Sequence, residues 1–135
     1  MMAGYSGKPL VVKLGLKPRS TAIFLNAPEN LPTLLGELPD GVVIAKKLAG
    51  PIDFIHFFTT SRAELEEELP ALKAALDKNG MLWISWPKAI SKISTDLNDN
   101  SVREIGLTSG LVDVKVCAVD EIWSGLKFVY RVADR

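Results

Sequence analysis

The sequence predicts an α/β fold of three layers: helices on both faces of a mostly parallel sheet that ends in a C-terminal antiparallel β-hairpin. Three observations lead there. Short apolar runs suited to buried strands alternate with segments whose leucines recur at helical spacing. Strands separated by helices lie parallel, because the right-handed crossover brings each new strand back in the same direction. The last two strand-like segments instead alternate with period two around a Ser-Gly turn signal, which makes them an antiparallel pair.

Each element follows from local chemistry. Ser6 precedes Lys8 to Leu14, where Leu10, Val11 and Leu14 share a helical face and Gly15 stops the helix. This opening helix and its surroundings make residues 1–20 an N-terminal segment packed on the main body. Thr21 to Ala27 is a nearly continuous apolar run ended by Pro28, as a buried strand would be. Leu31, Leu34, Leu35 and Leu38 return to helical spacing, with Pro32 suited to the first turn. Val42 to Ala45 and Ile52 to Phe58 are the second and third strands.

Ser61 and Glu64 have capping-box spacing, and Leu65, Leu69, Leu72 and Leu76 form one apolar stripe behind them. Pro70 lacks an amide donor and is expected to kink this helix or start a second segment, with Asn79-Gly80 as its end. Met81 to Trp86 is the fourth strand, stopped by Pro87. The polar stretch Lys88 to Asn98 leads into a helix over Asp99 to Ser109, stopped by Gly110. Val112 to Ala118 and Leu126 to Val132 then pair around a turn expected at Ser124-Gly125. All 135 residues are read as one domain of order α-β-α-β-β-α-β-α-β-β.

Charge and composition narrow the function classes. Sixteen basic residues balance sixteen acidic ones, and nucleic-acid binders normally show a basic excess, so no nucleic-acid partner is expected. One cysteine, Cys117, and one histidine, His56, leave no disulfide framework and no Cys/His metal site. No run approaches the about 18 apolar residues of a membrane helix, and the lysines at 8, 13 and 17 interrupt any leader-like stretch, so no membrane partner is expected. A reducing cytoplasm suits a chain with one unpaired thiol. His56, flanked by Phe54 and Phe58, reads as a hydrogen-bonded core histidine, and Cys117 as a small core residue.

From Asp53 to Val132, strand, helix, strand, helix and hairpin resemble the second half of class I S-adenosylmethionine-dependent methyltransferases. The resemblance implies a Rossmann-like seven-stranded sheet whose last strand is antiparallel. It also implies a glycine-rich turn after the first strand to admit the cofactor, and an acidic residue ending the second strand to hold the ribose hydroxyls. Here the turn reads Asn26-Ala27-Pro28-Glu29-Asn30, the second position carries Lys46 and Lys47, and one strand–helix unit is missing. A truncated methyltransferase-like sheet with no cofactor is therefore the expectation, and S-adenosylmethionine is doubtful. At the level of residues, GYSGKPLVVKLGLK (Gly4 to Lys17), WPK (Trp86 to Lys88) and VDVKVCAVDEIWSGLKF (Val112 to Phe128) resemble a bacterial family known as domain of unknown function 3052. That resemblance implies a small stand-alone bacterial protein and brings no activity or site residues with it.

A ligand on an open parallel sheet binds beyond the carboxyl ends of the strands. The residues that the expected topology brings to that rim are Asn26, Thr60, Ser61, Lys88, Asp120 and Trp123, with Glu121 and Ser124 beside them. The helix opening after Ser61 is expected to add free amides and a positive dipole end. Lys88 is suited to an anionic ligand or to pairing with Asp120. Asp120 and Glu121 are a potential acid/base pair or, as adjacent residues in a turn, backbone caps. Trp123 is suited to stacking on a planar ligand or to covering the core. Asn26 and Ser61 have the chemistry of turn and cap residues. The leading functional expectation is a small-ligand or protein-partner binding domain. The alternative is an active small-molecule enzyme, such as a transferase, using Lys88 and Asp120. Self-association through the terminal hairpin is a further expectation if its last strand lies at a sheet edge.

Overall fold

The computed structural model describes residues 9–135. Its elements are α1 (Leu10–Leu14), β1 (Thr21–Leu25), α2 (Leu31–Leu35), β2 (Val43–Ile44), β3 (Ile52–Phe58), α3 (Arg62–Ala75), β4 (Leu76–Pro87), α4 (Asp99–Thr108), β5 (Leu111–Ala118) and β6 (Trp123–Tyr130). The order of elements is the expected one. The start of the expected first helix, Ser6 to Lys8, lies outside the described residues, as does the Gly4 to Lys8 part of the second resemblance.

Six strands form one sheet in the order β2-β1-β3-β4-β6-β5. β2, β1, β3 and β4 are mutually parallel, while β6 runs antiparallel to both β4 and β5. β5 therefore points the same way as β1, β3 and β4, and the hairpin turn after it emerges at their carboxyl ends. The strand order reverses between β1 and β3, because β1 is followed by β2 on one side and by β3 on the other.

Each face of the sheet has its own core. On one side Ile55, Phe57, Leu82, Ile84, Leu126 and Phe128 pack with the Leu65-Leu69-Leu72 stripe of α3 and with Val102 and Ile105 of α4. On the other, Phe54, Phe58 and Trp83 pack with Leu10, Val11 and Leu14 of α1 and Leu31 and Leu35 of α2. Among the described residues no helix is long and apolar enough to cross a membrane.

Three local expectations are corrected. α3 runs unbroken through Pro70 from Arg62 to Ala75. Pro70 lies on the exposed face, so its missing amide leaves only the carbonyl of Glu66, itself exposed, to be solvated by water. The buried leucines before and after it hold the helix on the sheet. Asn79-Gly80 is not the helix stop, because the chain turns extended at Leu76 and both residues belong to β4. Gly80 answers a close approach instead: a Cβ there would lie 2.7 Å from the carbonyl oxygen of Asp53. Likewise Ser124-Gly125 is not the hairpin turn, which falls between Ala118 and Trp123. Gly125 sits in β6 opposite Ser85, where a Cβ would meet Ser85 Oγ and the Trp83 ring, each at 3.2 Å. A glycine inside a strand for packing reasons carries the same sequence signal as a glycine in a turn.

Candidate functional site

All six rim residues lie at the carboxyl ends of the parallel strands, but the structure gives most of their polar groups to the protein itself. Asn26, just past β1, adopts a left-handed conformation (φ 57°), and its Nδ2 donates to the carbonyl of Phe58 at the end of β3, 3.2 Å away. This bridge spans the point where the strand order reverses. Thr59, nearly fully buried, continues β3 by donating its amide to the Ser85 carbonyl at 3.0 Å.

The start of α3 is closed in a way its sequence did not indicate. Ser61 Oγ accepts from the Glu64 amide at 3.1 Å, which is one half of the capping box. The other half is relayed: the Ser61 amide donates to Thr59 Oγ1 at 3.1 Å, and the Thr59 hydroxyl donates to the Glu64 carboxylate. The Arg62 amide, expected to be free for an anion, donates to Asp96 Oδ1 at 2.8 Å. An internal carboxylate thus occupies a place at the positive end of the helix where an external anion would bind. Asp96 arrives there because the loop after β4 folds back over the rim, where Thr95 Oγ1 donates to the Thr60 carbonyl at 2.6 Å.

The hairpin completes the rim. The Lys88 amide donates to the Ile122 carbonyl at 2.7 Å, joining the end of β4 to the turn. Asp120 is buried, and its Oδ1 accepts from the amides of Ile122 and Trp123 at 2.8 and 2.7 Å. It is a turn cap and does not pair with Lys88. Trp123 meets Phe58 edge-on at 5.2 Å between ring centres, so its ring covers the core. Glu121 is exposed and Ser124 half-buried. Lys88 is half-buried, and among the described residues its ammonium has no hydrogen-bond or ion-pair partner.

His56 lies deeper on the face of the sheet covered by α1 and α2. It is fully buried, with Nε2 2.7 Å from Ser85 Oγ and its ring stacked on Phe58 at 4.1 Å. Among the described residues Nδ1 has no hydrogen-bond partner, and burial drives the pKa from 6.5 down to about 3, so the ring is neutral. Cys117 is likewise buried, in keeping with a small core side chain.

No spacing or motif marks Thr95 or Asp96, because their partners are backbone groups distant in sequence. Nor does any mark a groove of about 700 Å³ between α3 and α4, lined by Arg62, Glu66, Leu69, Pro70, Lys73 and Tyr130 among others. None of the six rim residues lines it. Among the described residues no group of three or more His, Cys, Asp or Glu side chains is arranged to hold a metal ion.

Two features that the methyltransferase resemblance implies for S-adenosylmethionine, a glycine-rich turn after the first strand and an acidic residue ending the second, are absent from the residues present. The turn after β1 carries side chains and is tied to β3 by Asn26, and β2 runs into exposed Lys46 and Lys47, which offer no acceptor to ribose hydroxyls.

No family model matches the chain, and no curated protein matches it. Solved structures do. A SAM-dependent methyltransferase from Aquifex aeolicus is 19% identical, with a TM-score of 0.57 over 88% of this chain and 86% of that one. The fibrillarin pre-rRNA processing protein of Methanococcus jannaschii is 12% identical, with a TM-score of 0.60 over 94% of this chain and 70% of that one. Magnesium protoporphyrin IX methyltransferase from Synechocystis PCC 6803, solved with bound SAM, is 12% identical, with a TM-score of 0.57 over 90% and 74%. At these identities the likeness is one of fold. The chain has a methyltransferase-like, Rossmann-like α/β fold with an antiparallel C-terminal pair.

Proposed function

We propose that the chain is a non-catalytic binding domain on a methyltransferase-like scaffold, taking a small anionic ligand or an acidic protein partner at the strand-end rim. The observation that carries this is the Asn26 bridge to the Phe58 carbonyl, which places a protein hydrogen bond at the reversal point where a dinucleotide-like cofactor would approach bare backbone. Asp96 on the first amide of α3 occupies one of the rim's anion-binding donors, which leaves the side chain of Lys88 as the cation available there. What the rim retains for a partner is the half-buried ammonium of Lys88, which is unpaired among the described residues. An enzyme using Lys88 with Asp120 as acid/base is disfavoured by the two amides that hold Asp120 Oδ1. We also place the chain with the bacterial domain of unknown function 3052 on its WPK and VDVKVCAVDEIWSGLKF segments, and in a reducing cytoplasm on its single buried thiol.

Calorimetric titration of the full chain with S-adenosylmethionine and with S-adenosylhomocysteine tests this. Neither is expected to bind at micromolar concentration, and micromolar binding of either overturns the cofactor-free reading.

A further inference from the structure

The zero net charge conceals one strongly one-sided surface. No acidic residue occurs before Glu29, whereas Lys8, Lys13, Lys17 and Arg19 all do. The fold brings Lys13 of this stretch against the terminal hairpin. Lys115 Nζ donates to the carbonyl of Lys13 at 3.1 Å, and Lys13 Nζ donates to the carbonyl of Ala118 at 3.2 Å. Lys115 and Lys127 are direct cross-strand partners on β5 and β6. The Lys127 ammonium lies 5.9 Å over the Trp83 ring and 4.0 Å from where a Cβ on Gly15 would sit, two residues before Lys17.

Like charges set directly opposite each other in a sheet repel, and folds normally interpose a carboxylate or separate them. Here no carboxylate is interposed: among the described residues neither Lys17 nor Lys127 has an acidic partner within ion-pair distance. Burial, then Lys115, then Lys17 lower the pKa of Lys127 below the usual lysine range, as expected for a cation with no counter-charge.

We propose that Lys17, Lys115 and Lys127, gathered where α1 meets the β5–β6 hairpin, form a binding site for a small molecule carrying several phosphate groups. Three ammonium groups match a polyanion better than a single carboxylate, since one negative charge leaves most of the repulsion in place. Lysine binds phosphate as a point charge on a flexible stem, so the site recognises charge more than shape. It lies on the α1 face, apart from the strand-end rim, and stands or falls independently of the function proposed there.

The test is calorimetric titration of the full chain with sodium tripolyphosphate at low ionic strength. Saturable binding is expected, with Lys127→Gln and Lys115→Gln each weakening it by about tenfold, the loss of one charge-assisted contact. Lys47→Gln, on the exposed chain after β2 and far from the hairpin in the sheet order, should bind as the unaltered protein does. Thermal melts of all three variants should match the unaltered protein closely enough to show that they fold. No saturable binding, or equal weakening by Lys47→Gln, overturns the proposal, the second because it marks diffuse attraction to any surface lysine.

Discussion

Replacing Gly106 by alanine should destabilise the protein, although helix propensity alone predicts the opposite. Gly106 lies within α4, where alanine is favoured over glycine by about 1 kcal/mol. Packing reverses the sign. A Cβ on Gly106 would lie 2.1, 2.4 and 2.7 Å from three carbons of the Phe128 ring. That ring is fully buried in the core between α4 and the sheet, so it has no solvent side to move into. Overpacking of this kind costs about 1 to 3 kcal/mol, and an overlap this deep belongs at or beyond the upper end. Subtracting the propensity gain leaves a net loss of roughly 2 kcal/mol, or a fall in melting temperature of roughly 6–10 °C for a chain of this size. Urea unfolding should show a lower midpoint with an unchanged slope. Thr108→Ala, at an exposed position of the same helix, reports propensity without the clash and should raise stability by a few tenths of a kcal/mol, about the difference between the two propensities. A Gly106→Ala protein as stable as the original would refute the packing of α4 against Phe128.

Two further outcomes follow from buried polar groups. His56 is neutral when folded, down to about pH 3, but protonates near 6.5 when unfolded. Its contribution to stability is therefore complete above about pH 6.5 and falls as the pH drops, by about 1.4 kcal/mol per unit. Between pH 7 and pH 5 the unaltered protein should lose about 2 kcal/mol more, by urea unfolding, than a His56→Leu/Ser85→Ala double variant; equal losses would show that the histidine is not buried neutral. Asp120→Ala leaves the amides of Ile122 and Trp123 without their part-buried acceptor and should cost about 1 kcal/mol, while Asp120→Asn, which keeps an oxygen, should recover most of it. An alanine variant of unchanged melting temperature would remove Asp120 from the turn.

The fold was legible because its signals are local. Helical leucine spacing in α3, period-two alternation in β5 and β6, and the apolar runs of β1 and β3 each depend on a few neighbouring residues, and the order of elements follows from them. The partly wrong boundaries had an equally local cause. Gly80 and Gly125 looked like turn residues, but each is a glycine because another chain segment passes within van der Waals distance. Pro70 looked like a helix breaker, but its missing hydrogen bond falls on the solvated face.

The candidate site divides along the same line. Local patterning is enough for the element order, the direction of the main strands, the core position of His56 and the loops that reach the carboxyl rim. How those loops use their polar groups depends on the packed sheet: Asn26 on the Phe58 carbonyl, Asp96 on the first amide of α3, Asp120 on the hairpin amides, and the Lys88 amide on the Ile122 carbonyl. The tertiary structure also decided that Lys115 and Lys127 lie opposite each other on neighbouring strands. Periodicity records which way a residue faces within its own element. Partners some 30 to 100 residues apart, such as Arg62 with Asp96 or Lys13 with Lys115, meet only when the sheet brings their elements together.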